Sequence, residues 1–111
     1  MLIKKEIINN VEYTVIKYNS EPKQEELIRA LDIIHNSEHC KVILWNDIYP
    51  NSDFIYYKNG KVHNELGIAI HLGAGRFYGI DGEIEQTYEN FDKKYYNKLL
   101  RWKKLKILKN K

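Results

Sequence analysis

Two-residue turn signals at three places constrain the fold of this chain more than any other feature. They are Asn9-Asn10, Asn59-Gly60 and Asp81-Gly82. Asn, Asp and Gly tolerate the positive φ angles of a two-residue hairpin turn, and runs rich in β-branched and aromatic residues flank each pair. The pattern predicts a hairpin over residues 1–18 and an antiparallel meander over residues 42–87, in which Gly73-Ala74-Gly75 provides a looser turn.

These turns also determine which side chains share a face of the meander. The two-residue loops place Tyr57 opposite Val62 and Tyr78 opposite Glu85. A long central strand between the loops presents apolar side chains on its core side, namely Val62, Leu66, Ile68 and Ile70. If His71 lies opposite Arg76, the other side collects Tyr56, Lys61, His63, Glu65, His71, Arg76, Tyr78 and Glu85. We expect this second side to face solvent or a ligand.

An amphipathic helix is predicted for residues 21–35. Ser20 is a suitable N-cap and Pro22 fits the first helical turn. Apolar side chains then recur at helical spacing, at Leu27, Leu31 and Ile34. The short apolar run of residues 42–45 that follows is typical of a buried strand.

A second, longer helix is predicted for residues 88–109, and it holds much of the positive charge. Its aromatic and apolar side chains recur at helical spacing, at Tyr88, Phe91, Tyr95, Leu99 and Trp102. The whole chain has 18 Lys and Arg against 15 Asp and Glu, but residues 93–111 hold nine of the bases and none of the acids. Residues 1–92 therefore have a net charge of −6, and the end of the chain has +9.

Together these features predict one α+β domain of 111 residues. We expect an antiparallel β-meander and hairpin sheet whose apolar side is packed by the amphipathic helix and by the long basic C-terminal helix. The pattern leaves open which edge of the meander the first hairpin and residues 42–45 join. A lone Cys40 favours a reducing compartment, and neither a signal peptide nor a membrane span is visible, so we expect a cytoplasmic protein without membrane contact.

Part of the chain resembles a repeat of small bacteriophage proteins, in which an aromatic strand is followed by N-G-K and L-H-R-E-D-G-P-A. The matching segment is Tyr57-Lys58-Asn59-Gly60-Lys61-Val62-His63-Asn64-Glu65-Leu66-Gly67-Ile68-Ala69. Residues 77–83 resemble the W-Y-x-N/D-G-K strand and turn that come next in that family. The resemblance covers about residues 54–95, with Asn64, Leu66 and Ile68 in place of the family's Arg, Asp and Pro. It implies a hairpin meander and a phage or mobile-element origin, hence a bacterial host, and it transfers no catalytic residue.

No group of residues in the sequence predicts catalysis, a metal site or a cofactor. His35, His39 and Cys40 come nearest to a metal site, but Asn36-Ser37 is expected to break the helix between the two histidines. Eight residues of extended strand between His63 and His71 would separate them by about 26 Å. This distance excludes a shared metal or a catalytic pair unless the strand folds back. We therefore expect a protein that is not an enzyme and has no cofactor.

The leading hypothesis for function is a binding protein of a phage or mobile element. It would inhibit a host defence or regulatory factor, as an anti-CRISPR-like or other anti-defence inhibitor. The resemblance and the two oppositely charged regions motivate it. The partner is expected to be a host protein or a protein–nucleic acid complex, contacted by the basic helix through Lys98, Arg101, Lys103, Lys104 and Lys106.

Two alternatives remain open. A nucleotide signal would be sequestered on the polar side of the meander, because rings suit a base and a guanidinium suits a phosphate. The residues expected to bind it are Tyr56, His63, His71, Arg76 and Tyr78. In the other alternative, RNA or DNA binds the basic helix. An acidic protein surface, including that of a second copy of the chain, is a further expected partner of the same helix.

Overall fold

The computed structural model describes residues 1–46, 48–49, 52–73, 75–87, 92–94 and 96–101. Its elements are β1 (Leu2–Ile8), β2 (Val11–Lys17), α1 (Gln24–Asn36), β3 (His39–Ile43), β4 (Phe54–Lys58), β5 (Lys61–Val62), β6 (Ile70–Leu72), β7 (Gly75–Ile80) and β8 (Glu83–Gln86). The strands form one sheet with the order β1-β2-β3-β4-β6-β7-β8, and β5 pairs with β4. The predicted α+β class is confirmed.

The first hairpin is confirmed as well. β1 and β2 pair antiparallel, from Leu2 opposite Lys17 to Ile8 opposite Val11. Asn9 and Asn10 have φ angles of 51° and 66°. These are the left-handed values that a two-residue turn needs at both positions. The same chemistry holds at the two later turns, whose four residues also have positive φ angles.

Helix α1 begins at Gln24, later than the predicted residue 21. Lys23 precedes it in an extended conformation, and its backbone N–H donates to the Glu26 carboxylate at 3.2 Å. A carboxylate at the third helical position satisfies the backbone donor just outside the helix. Glu26 therefore marks the start of the helix, and the predicted boundary near Ser20 and Pro22 is wrong.

The buried side of α1 is rotated away from the predicted apolar stripe. Ala30 and Ile34 are buried against the sheet, whereas Leu27 and Leu31 are 45% and 57% exposed. The side of the helix that carries Ala30, Ile33 and Ile34 packs on Ile16 and Val42 of the sheet. Glu26 lies on this side as well, and it forms an ion pair with the ammonium group of the N-terminus at 3.1 Å.

The sheet is mixed rather than purely antiparallel. Helix α1 connects β2 to β3, which run parallel with Ile16 opposite Val42. A helical crossover of this kind joins parallel neighbours. β3 then pairs antiparallel with β4, with Val42 opposite Ile55. The first hairpin and β3 therefore extend the meander from its β4 edge, which the sequence left open.

The long central strand predicted for the meander is wrong, because residues 64–68 leave the sheet between β5 and β6. The Asn64 side chain explains this. Its Oδ1 accepts the Leu66 N–H at 3.1 Å, and its Nδ2 donates to the Ile68 carbonyl at 3.0 Å. Such side-chain bonds to nearby backbone compete with strand pairing. We call residues 64–68 the excursion. It leaves Leu66 47% exposed and packs Ile68 against Ile80, so neither lies where the central strand would have placed it.

Strand β4 pairs with the chain on both sides of the excursion. The Tyr56 carbonyl accepts the His63 N–H at 3.0 Å, and the Tyr56 N–H donates to the Ala69 carbonyl at 2.8 Å. Two positions further along β4, His71 lies opposite Phe54. His63 and His71 therefore lie beside positions two residues apart on β4, or about 7 Å of strand. The predicted 26 Å separation is wrong because the strand folds back.

The described helical segments cover opposite faces of the sheet. We call the side packed by α1 the α1 face; it carries Ile16 and Val42. Register and alternation place Phe77 on this face and Ile80 on the other. Ile80 is 2% exposed and packs with Tyr96, Leu99 and Leu100. The prediction that both helices cover one apolar side is therefore wrong.

The predicted helix of residues 88–109 is described only in part. Residues 93–94 and 96–101 are helical. Residues 88–91, 95 and 102–111 lie outside the described residues, and with them three of the predicted partner-binding bases, Lys103, Lys104 and Lys106. Within the described residues, no helix has the length and apolar content of a membrane span.

Candidate binding face

The sheet face opposite α1 carries a connected row of rings. Tyr13 of β2 contacts Tyr56 of β4 with ring centroids 5.6 Å apart, and Tyr56 contacts Phe54 at 5.4 Å, both edge to face. Phe54 in turn stacks on His71 of β6 at 5.7 Å and an interplanar angle of 17°. His39 of β3 joins the row beside Tyr13 at 5.2 Å. We call this surface the aromatic face, and define it by Tyr13, His39, Lys41, Phe54, Tyr56, His71 and Arg76.

The row exists because the strand order brings β2, β3 and β4 side by side. Tyr13 lies on β2 one residue from Thr14, which is opposite Cys40, and Cys40 is opposite Tyr57. Adjacent residues of a strand point to opposite faces. Tyr13, His39 and Tyr56 therefore share the face that Thr14, Cys40 and Tyr57 do not use. Burial and the neighbouring Tyr56 and Glu65 raise the pKa of Tyr13, so its phenol remains a neutral donor and acceptor.

A cation lies over the centre of the row. The Lys41 ammonium is 5.2 Å from the ring centroids of both Phe54 and Tyr56. An ammonium at this distance is attracted by the π electrons of the rings. Lys17 and Lys58 alternate onto the same face, and Arg76 lies opposite His71, which is the pairing that the predicted polar side required. No described carboxylate forms an ion pair with any of these four bases.

Three acids of the same face do have partners. Glu6 lies 3.6 Å from the Lys4 ammonium, and Glu65 lies 2.6 Å from that of Lys93. Glu85 accepts a hydrogen bond from the Tyr78 hydroxyl at 2.5 Å. Glu6 and Glu65 are therefore paired with ammonium groups, whereas no described carboxylate pairs with the bases beside the rings, and these bases can contact an anionic group of a ligand.

His71 and Asp53 form the edge of the row. Asp53 accepts the Gly73 N–H at 3.0 Å and an Asn46 amide hydrogen at 3.1 Å. These bonds, with the Gly73 bond the largest cause, hold the pKa of Asp53 below its usual value. Its Oδ1 is 3.8 Å from Nδ1 of His71, and no described group completes a hydrogen bond to that nitrogen. His71 therefore keeps an unused donor or acceptor position next to an ionised carboxylate.

His63 is used by the fold itself. Its side chain is 5% exposed, and its Nδ1 accepts the Asp81 N–H at 3.0 Å. Because Nδ1 is an acceptor, the neutral ring carries its proton on Nε2, which lies 3.4 Å from Oε1 of Glu65. The Tyr96 ring packs edge-on against the imidazole at 5.8 Å. These contacts leave His63 no free polar atom for a ligand.

Glu65 also ties the C-terminal helical residues to the sheet. Its Oε2 is 2.6 Å from the Lys93 ammonium, and this hydrogen bond is the main reason that the pKa of Glu65 is lowered. The same ammonium lies 4.8 Å from the Tyr96 ring centroid. The excursion, which carries Glu65, thus forms one wall of the aromatic face together with the helical residues.

The structure groups three of the five residues predicted to bind a nucleotide. Tyr56, His71 and Arg76 belong to the aromatic face, whereas His63 and Tyr78 have the other contacts described above. Sequence reasoning missed four members of the face, Tyr13, His39, Lys41 and Phe54. Alternation within β2 and β3 was a usable signal for the first three, but it could not be applied while the strand order was open. Phe54 lies two residues before Tyr56 on β4, so alternation along that strand already placed it on the same face.

The other predicted sites divide in a similar way. His39 faces the aromatic row and Cys40 the α1 face, so these neighbours cannot share a metal. The Cys40 thiol is buried, and burial raises its pKa to about 11. Among the described residues, no three His, Cys, Asp or Glu side chains converge as metal ligands would. On the C-terminal helical residues, Lys98 and Arg101 are exposed.

Comparison with protein-family models, with curated proteins and with solved structures finds no match for this chain. The resemblance to phage repeats therefore stays a prediction.

Proposed function

We propose that this chain is a non-catalytic binding protein whose aromatic face binds a ligand with a nucleobase and a phosphate. The observation that carries the proposal is the connected row of rings with the Lys41 ammonium 5.2 Å from two of them. Aromatic side chains stack on nucleobases of any sequence, and neighbouring bases attract the phosphate. A free nucleotide and a single-stranded nucleic acid share this chemistry.

The surroundings of Cys40 and His63 also agree with a binding role. A thiol with a pKa of about 11 is almost entirely neutral at pH 7, so Cys40 is a poor nucleophile. His63, the most buried of the described histidines, is occupied by the Asp81 N–H and Glu65.

Arg76 provides the sharpest test of the proposal. Its side chain is exposed opposite His71, and Arg29 is similarly exposed on α1. Arg76→Gln and the matched control Arg29→Gln therefore remove the same charge on opposite sides of the sheet. We expect nucleotides to raise the melting temperature of the wild type and of Arg29→Gln. Arg76→Gln should weaken binding about tenfold, because a charge-assisted bond to phosphate is lost.

The test includes mononucleotides, cyclic nucleotides and single-stranded oligonucleotides as separate arms. Stabilisation by mononucleotides or cyclic nucleotides identifies a small signal, whereas binding only to oligonucleotides identifies a nucleic acid. The lack of binding to any of these probes, or an equal effect of the two Arg variants, would overturn the proposal.

A second candidate function is the inhibition of a host defence or regulatory factor, with the basic helical residues as the contact. It is favoured by the exposure of Lys98 and Arg101 on a helical segment whose Leu99 and Leu100 pack on Ile80. The double variant Lys98→Gln/Arg101→Gln keeps this packing and removes two charges. A pull-down from bacterial lysate should recover an acidic partner with the wild type and much less of it with the variant. Equal recovery of the partner by the wild type and the variant would show that these helical residues are not part of the interface.

A further inference from the structure

Helix α1 covers only part of the α1 face. Beyond it, alternation places apolar side chains of β4, β6, β7 and β8 on the same face, namely Ile55, Ile70, Leu72, Phe77 and Ile84. Leu72 and Ile84 are 44% and 48% exposed, and the other three are partly exposed. No described side chain that β4 to β8 direct to this face is charged.

One flank of α1 continues this apolar area. Leu27, Ile28 and Leu31 are 45%, 61% and 57% exposed. His35 lies one helical turn beyond Leu31 on the same flank, and a Cβ built on Gly60 would lie 3.0 Å from its Nδ1. Because Gly60 is in the turn between β4 and β5, this flank faces the uncovered part of the sheet. We call Leu27, Ile28, Leu31, Leu72, Phe77 and Ile84 the apolar surface.

We propose that two copies of this chain associate through the apolar surface. Five of its side chains are close to half exposed, so it offers on the order of 500 Å², as much as the largest patches of monomers, which are often functional. Together with the polar residues around it, the apolar surface approaches the roughly 800 Å² that each partner buries in a complex of standard size.

The distribution of charge favours a second copy over a charged partner. The apolar surface has no charge with which to select an acidic or basic protein. The unpaired bases beside the rings lie on the opposite side of the sheet, so two chains of net charge +3 can meet without facing those bases. A twofold pairing buries the same patch on both copies and leaves both aromatic faces open. The proposal of a dimer and the proposal of a ligand site can therefore be tested separately, and either one can be wrong without the other.

Sedimentation velocity of the full chain over about 1 to 100 µM tests the proposal, since a small interface supports micromolar affinity. The informative variant is Leu31→Glu, which puts a charge into the apolar surface of each copy, where association would bury it. Its matched control is Leu66→Glu in the excursion, where the side chain is 47% exposed away from the apolar surface. We expect a concentration-dependent dimer in the wild type and in Leu66→Glu, and a dissociation constant at least tenfold higher in Leu31→Glu. Ile84→Glu should repeat the effect from the sheet side.

Several results would overturn the proposal. The first is a wild type that stays monomeric over the whole range, and the second is a dimer that Leu31→Glu and Ile84→Glu leave intact. Equal weakening by Leu31→Glu and Leu66→Glu would also count against this surface. If the wild type is monomeric and Leu31→Glu loses as much thermal stability as removal of residues 102–111, the occupant is the chain's own end. Far-UV circular dichroism identifies any variant that does not fold.

Discussion

The close approach of β5 and β7 beside the excursion leaves no room for a methyl group at Gly79. A Cβ there would lie 2.6 Å from Cγ1 of Val62, 3.0 Å from the Val62 carbonyl oxygen and 3.1 Å from Cβ of Ala69. Carbon atoms pack at about 3.5 to 4.0 Å, so one strand has to move by up to an ångström. Overpacking of this kind costs about 1 to 3 kcal/mol. We therefore expect Gly79→Ala to lower the free energy of unfolding by about 2 kcal/mol, or about 10 °C in Tm.

Urea unfolding followed by circular dichroism measures this loss and locates its cause. Val62→Ala removes the nearest atom, so in that background Gly79→Ala should cost at least about 1 kcal/mol less. Gly73→Ala is the control: its Cβ meets nothing within 4 Å, but its φ of +57° makes Ala cost about 1 kcal/mol. That loss should not change with Val62→Ala. Additive losses for Gly79→Ala and Val62→Ala would refute the reasoning.

Three further predictions concern single side chains. Glu65→Gln removes the ion pair with Lys93, which solvent screens, so urea unfolding at pH 7 should show a loss below about 1 kcal/mol. Because the folded pKa of Glu65 is lowered, this contribution is present above the unfolded value of about 4.3 and is lost as the pH falls through the folded pKa. An unchanged difference between wild type and variant at pH 2 would contradict it. Burial raises the pKa of Cys40 to about 11, so at pH 8 a disulfide reagent should react with the folded protein at least about 100-fold more slowly than with the unfolded chain. The same shift makes stability decline as the pH rises from the unfolded value of about 8.5 toward 11, and equal reaction rates would disprove the burial. Asn64→Ala should cost about 1 to 2 kcal/mol and speed proteolysis within the excursion, since it leaves a carbonyl and an N–H without their partner. Asn36→Ala, at the exposed end of α1, should cost less in the same assays.

Features that depend on neighbouring residues could be predicted from the sequence. The turns at Asn59 and Asp81 depend on the φ angles that Asn, Asp and Gly tolerate, and each takes the predicted conformation. The length of the two-residue turns then determines register, which is why Tyr57 lies opposite Val62 and Tyr78 opposite Glu85. Local chemistry therefore predicted the pairing of β4 with β5 and of β7 with β8 correctly.

Features that depend on distant contacts could not be predicted in the same way. The side of α1 that is buried depends on how Ala30 and Ile34 pack on β2 and β3, which helical periodicity does not encode. The aromatic face required β3 to lie between β2 and β4, and no local pattern specifies that order. The excursion is a different case, because Asn64 and Gly67 are turn-forming residues inside an otherwise extended run. These two residues indicated a turn, but the alternation of apolar side chains in the same run favoured a continuous strand.

The chain can be shortened within the excursion without a change in the register of the sheet. Tyr56 divides its two backbone hydrogen bonds between His63 and Ala69, so the seven residues 63–69 stand opposite one residue of β4. A shortened chain that joins His63 directly to Ile70 would keep every later residue on its present face. An insertion within residues 65–67 would likewise keep the register of the pairs on either side. A change of length here would therefore leave the rings that form the floor of the aromatic face in register, and it would act on the wall through the Glu65–Lys93 contact and the packing of Ile68 on Ile80.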